Sequence, residues 1–125
     1  MHRTMPEALF IYGTLHPDRA PAEMADVVSK LRPLGPGTIR GRLYDLGEYP
    51  GVIVGAQPGE KVTGEVFALP DDPEVLVCLD RYEGFVPSDP ANSLFVRSKQ
   101  TVTFADGRRR RCWVYLYNGE LLKGQ

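Results

Sequence analysis

Apolar residues recur along this chain in short runs with two different periods. Ala8–Tyr12, Val52–Val54, Val62–Leu69, Leu94–Phe104 and Arg110–Tyr117 are rich in aromatic and β-branched residues, and together with Thr38–Tyr44 they predict six strands. Two segments between them shift to helical spacing. Met24, Val28 and Leu31 stand at i, i+4 and i+7, and Pro33 closes that segment. From Asp72 to Tyr82, one face carries Val75, Leu76, Leu79 and Tyr82. Asp72 is placed to cap this second helix, Pro73 suits its first position, and Gly84 suits its stop. Asp106-Gly107 between the last two strands is a hairpin signal. Mostly β segments with two interspersed short helices predict an α+β fold. Glycine and proline mark most joins, with no repeat and no low-complexity linker, so residues 1–125 read as a single domain.

Charge and cysteine usage narrow the function classes. Fifteen basic and sixteen acidic residues leave a net charge of −1, which offers no global attraction to nucleic acid or to an anionic membrane. No apolar run approaches the ~18–20 residues of a membrane span, and the first residues lack the apolar core of a signal peptide. Cys78 and Cys112 fit no metal or redox spacing and read as apolar filler in a reducing compartment, so a cytoplasmic location is expected. No His, Cys and carboxylate cluster has ligand spacing, and neither a metal nor another cofactor is expected. Arg108-Arg109-Arg110-Arg111 is the one basic run. It begins a hairpin strand, where alternate side chains splay to opposite faces, and it lacks an aromatic platform. Nucleic-acid binding is therefore a minor rival reading.

The segment Leu79-Asp80-Arg81-Tyr82-Glu83-Gly84-Phe85 places a carboxylate where folding alone would not favour one. Glu83 falls at the negative end of the second helix, which costs a carboxylate about 0.3–1 kcal/mol. Tyr82 and Phe85 flank it, and an apolar wall would raise its pKa, as suits a group that both takes and gives a proton. The competing reading is a solvated Glu at a frayed helix end. A second candidate is Phe10-Ile11-Tyr12-Gly13-Thr14-Leu15, where a buried strand stops at a glycine. Successive free N–H groups in such a turn form an anion-binding concavity, although strand–Gly–Thr turns also occur with no ligand at all.

Tyr12-Gly13-Thr14-Leu15 and Leu79–Gly84 together resemble the γ-glutamylcyclotransferase-like superfamily. Gly41-Arg42-Leu43-Tyr44-Asp45-Leu46-Gly47-Glu48-Tyr49-Pro50-Gly51, Val62–Phe67 and Val114-Tyr115-Leu116-Tyr117 match in the same order. The resemblance implies a small, mostly antiparallel, closed or nearly closed β-barrel with helices packed on it. It also implies release of 5-oxoproline and a free amine or amino acid from a γ-glutamyl compound. In that reaction the substrate's own α-amino group attacks its γ-carbonyl, so neither a protein nucleophile nor a metal is needed. Glu83 matches the family's catalytic acidic residue and takes the role of general base and then general acid. The backbone of Tyr12, Gly13, Thr14 and Leu15 would hold the γ-glutamyl group, and the Tyr117 hydroxyl would close the pocket, with Tyr115 as the weaker choice.

Other polar residues fall to structural roles. Asp80 is expected to pair with Arg81 or another cation or to stay solvated, Arg97 to form an ion pair within the domain, and His16 to lie in a surface loop. Asp45 and Glu48 adjoin a turn that borders the family's site. Phe85–Ser93 is a candidate covering loop. The principal alternative is a binding module that uses the same pocket for a carboxylate metabolite without turnover. The leaving amine and the oligomeric state stay open.

Overall fold

The computed structural model describes residues 7–12, 21–45, 50–54 and 59–118. Strand β1 (Ala8–Ile11) is wholly buried, and its alternation sets the plan of the molecule. Leu9 and Ile11 face one core, shared with Leu79 and Val75, while Ala8 and Phe10 face a second, shared with Val66, Val102 and Val114. The first core lies under the helices; the second fills the barrel.

The barrel closes in the order β1-β5-β2-β6-β7, where β2 is Arg32–Arg40, β5 is Lys61–Ala68, β6 is Phe95–Phe104 and β7 is Arg109–Tyr117. Every pairing in it is antiparallel except the closing contact of β1 with β7, at Leu9↔Trp113. Strands β3 (Arg42–Asp45) and β4 (Pro50–Ile53) form a separate two-stranded ribbon. Val52 of that ribbon is fully buried in the barrel core. Closure leaves few exposed edges, as the resemblance implied. The β6–β7 hairpin turns at Asp106-Gly107, and Asp106 Oδ1 accepts from the Arg108 N–H at 3.0 Å.

Three differences from the sequence reading have physical causes. Thr38–Tyr44 is not one strand: the chain breaks at Gly41, whose N–H donates to the Glu60 carbonyl, so β2 and β3 enter different sheets. β2 also begins six residues earlier than expected, through a segment whose prolines and glycines read as turn. It pairs with β5 across an irregularity between Pro33 and Gly35. Gly37 belongs in the strand because a Cβ there would lie 2.6 Å from Val102 Cγ1. The first helical segment is shorter than its periodicity suggested. A 3₁₀ turn at Ala22–Met24 leads into α1 (Ala25–Val28), yet Met24, Val28 and Leu31 are all buried in the helical core.

Candidate active site

Helix α2 (Pro73–Glu83) carries the candidate acid/base residue, and both of its ends are fixed by sequence. Asp72 Oδ1 accepts from the Glu74 N–H at 3.0 Å, with Pro73 in the first turn. At the other end Gly84 takes the left-handed conformation (φ 74°, ψ 31°). Its N–H donates to the Arg81 carbonyl and that of Phe85 to the Asp80 carbonyl at 2.8 Å, which is a Schellman motif. The Gly84 carbonyl in turn accepts from the Leu94 N–H at the entry to β6. Glu83 is thereby held as the last helical residue. Leu79, fully buried, presses the same turn onto the core.

Two carboxylates three residues apart on this helix meet opposite environments. Asp80 is buried and fully partnered. Arg97 of β6 binds it with both arms, Nε to Oδ1 at 2.8 Å and Nη2 to Oδ2 at 3.2 Å, and the Tyr115 hydroxyl donates to Oδ1 at 2.6 Å. The Arg97 guanidinium also stacks 4.2 Å from the Trp113 ring centroid and 5.6 Å from that of Phe85. Glu83 is half-buried, and no described residue pairs its carboxylate with a cation. Loss of hydration raises its pKa from 4.5 to about 7. Its charge adds to the upward push on the hydroxyls of both Tyr12 and Tyr115, so its carboxylate stands near the two tyrosines.

Tyr12, at the end of β1, ties three strands together. Its hydroxyl donates to the Tyr115 carbonyl at 2.5 Å and accepts from the Val52 N–H at 3.3 Å. Burial chiefly, with a smaller contribution from Glu83, holds this phenol far up from its ordinary value. Tyr115 is likewise pushed up by burial first and then by Asp80. Both hydroxyls are thus protonated and already engaged.

The structure brings Glu83, Tyr12 and Tyr115 together around the C-terminal turn of α2. Tyr117 follows Tyr115 on the same face of β7, half-buried, with its ring edge-on to Phe95 at 5.7 Å. Gly13, Thr14 and Leu15 lie outside the described residues, as do His16 and Glu48. The loop from Phe85 to Ser93 is fastened from within: Ser93 Oγ accepts from the Val86 N–H and donates to the Asp89 carbonyl. Asn118 Nδ2 anchors it to β7 by donating to the Pro90 and Ser93 carbonyls.

Structural roles for Asp80 and Arg97 were legible in the sequence, but their mutual pairing was not. Trp113 was missed, and Tyr115, the weaker candidate to close the pocket, donates its hydroxyl to Asp80 instead. The alternation of β6 and β7 was the available signal, since it sets Arg97, Trp113 and Tyr115 on the helix-facing side. Among the described residues no three His, Cys, Asp or Glu side chains are grouped to hold a metal. No described helix is long and apolar enough to cross a membrane.

Similar folds occur in proteins of low sequence identity. An AIG2-like protein from Mus musculus superposes with a TM-score of 0.70 at 20% identity, over 94% of this chain and 81% of the mouse one. A protein described as a gamma-glutamyl cyclotransferase gives 0.65 at 17% identity, over 90% of this chain and 67% of its own. YkqA from Bacillus subtilis gives 0.67 at 18% identity and 91% coverage, but this chain spans only 36% of YkqA. At such identities the likeness establishes the fold alone. No protein of curated function matches the sequence significantly. Residues 9–125 match the family described as gamma-glutamyl cyclotransferase, AIG2-like, and the chain belongs to that family.

Proposed function

We propose that the protein is a γ-glutamyl cyclotransferase, with Glu83 as its proton carrier. One observation carries the reading: the carboxylate at the family's acidic position is desolvated, has no described cationic partner, and has a pKa near 7. Such a group is half-ionised at neutral pH and serves equally as base and acid. Asp80, three residues earlier, is instead engaged by Arg97 at 2.8 Å.

The Glu83 carboxylate takes a proton from the substrate's α-ammonium. The freed amine nitrogen attacks the γ-carbonyl carbon, a five-membered ring closes, and the carbonyl oxygen gains negative charge. Glu83 then returns its proton to the leaving nitrogen as the bond between that nitrogen and the γ-carbon breaks, and the regenerated carboxylate takes the surplus proton from the ring nitrogen and passes it to the departing amine. The products are 5-oxoproline and a free amine. Because the nucleophile is part of the substrate, most of the rate advantage comes from holding it folded, worth effective molarities on the order of 10⁵ M or more. The Tyr12–Leu15 motif is assigned to hold the γ-glutamyl carboxylate and the developing oxyanion, and Tyr117 to close the pocket.

The test is 5-oxoproline release from a panel of γ-glutamyl dipeptides and γ-glutamyl amines. Release from one or more supports the reading and ranks the leaving groups. Saturable binding of the same compounds without release would instead identify a binding module.

A further inference from the structure

The second feature of the barrel has no part in the Glu83 site. Strands β2 and β6 pair at Gly37↔Phe104 and Thr38↔Thr103, and the described pairing goes no further. Where they part, a groove of about 610 Å³ opens on the outer wall. Arg40 and Lys61 are directly opposed on β2 and β5 at one side, and Arg109 and Arg111 project from β7 at the other. Between them lie the hydroxyls of Thr101 and Thr103, and Arg111 Nη1 donates to Thr101 Oγ1 at 3.4 Å.

Three properties of this groove point to an anionic ligand. No described lining residue is acidic, and none of the four cations takes part in the ion pairs described elsewhere in the molecule. Like charges directly opposed across a sheet, as at Arg40↔Lys61, destabilise it. Two such walls with a floor of hydroxyl donors supply the charge-assisted hydrogen bonds that phosphoryl oxygens accept. The concave shape and the count of four cations exceed what a single phosphate satisfies. No described aromatic side chain lines the groove to stack a base, and the net charge of −1 makes the wider surface unwelcoming to a polymer.

We propose that this groove binds a multiply phosphorylated small molecule, of the type of inorganic tripolyphosphate or the triphosphate of a nucleotide. Half of the arginine run is thereby given a role: Arg109 and Arg111 face the ligand.

Calorimetric titration of the full chain with sodium tripolyphosphate tests this, with orthophosphate and a single-stranded RNA oligomer as parallel arms. Tripolyphosphate should bind at one equivalent and at least about tenfold more tightly than orthophosphate. Arg40→Gln and Arg111→Gln should each weaken it by about tenfold. Both side chains are exposed, so unchanged melting curves will show that the variants fold. No saturable tripolyphosphate binding, or equal affinity in the variants, overturns the proposal. Tighter binding of RNA than of tripolyphosphate, lost in the same variants, overturns the small-molecule class in favour of nucleic acid.

Discussion

Replacing Glu83 by Gln should make the protein more stable, and by an amount that depends on pH. The native environment raises this carboxyl from 4.5 to about 7 by stripping its water. A group whose folded pKa lies above its unfolded one favours folding while protonated. That contribution is complete below about pH 4.5, declines as pH rises through the window up to about 7, and is gone above it. The ionised native protein therefore carries a penalty of about 3 kcal/mol at pH 8, and well under half of that at about pH 5. Gln resembles the neutral acid in shape and never ionises, so the variant escapes the penalty. Urea unfolding followed by circular dichroism at the two pH values measures the difference directly. The midpoint gain in thermal melts at pH 8 should be about 10 °C. A variant no more stable than the parent at pH 8, or one whose advantage is the same at both pH values, would refute the claim that desolvation governs Glu83.

Other substitutions test the frame around it. Arg97→Met leaves Asp80 buried with only the Tyr115 hydroxyl, and should cost about 3 kcal/mol in urea unfolding while KM stays near the parent value. Gly84→Ala forces a side chain into a left-handed position and against Leu94 Cβ at 3.3 Å, so about 1–2 kcal/mol should be lost in the same assay. Tyr12→Phe removes the hydroxyl shared by the Tyr115 carbonyl and the Val52 N–H, and a loss of about 1–3 kcal/mol is expected from thermal melts.

Legibility in the sequence followed the strength of local signals. Helix α2 could be read almost to the residue because Asp72, Pro73 and Gly84 each act through their own backbone and do not depend on distant partners. The same local logic gave the Asp106-Gly107 hairpin and placed Glu83 at a helix C-terminus. β2 was half lost for the opposite reason. Its Pro33, Gly35, Pro36 and Gly37 have poor strand propensity, and they are extended only because β5 and the close packing of Val102 require it. The break at Gly41 is likewise set by Glu60 and by β4, both outside Thr38–Tyr44.

Within the site, one-dimensional reasoning found the residues but not their partners. Asp80 and Glu83 look alike in sequence; only the fold reveals that Arg97 and Tyr115 bind the first and that no described cation pairs with the second. Tyr115 carries the buried hydroxyl bond to the helix, while Tyr117, the preferred tyrosine on sequence grounds, packs against Phe95. The arginine run changes meaning in the same way. Strand alternation sends its members to different surroundings, and two of them meet Arg40 and Lys61 only through the pairing of β2 with β6.

The most direct measurement is the pH dependence of kcat for 5-oxoproline release, taken on the parent and on Glu83→Gln with the best γ-glutamyl substrate. The account predicts a parent rate that falls about tenfold per pH unit on the acid side of a midpoint near 7, and a folded variant slower by roughly 100-fold or more. A variant that keeps the parent kcat would remove Glu83 from the chemistry and contradict the account.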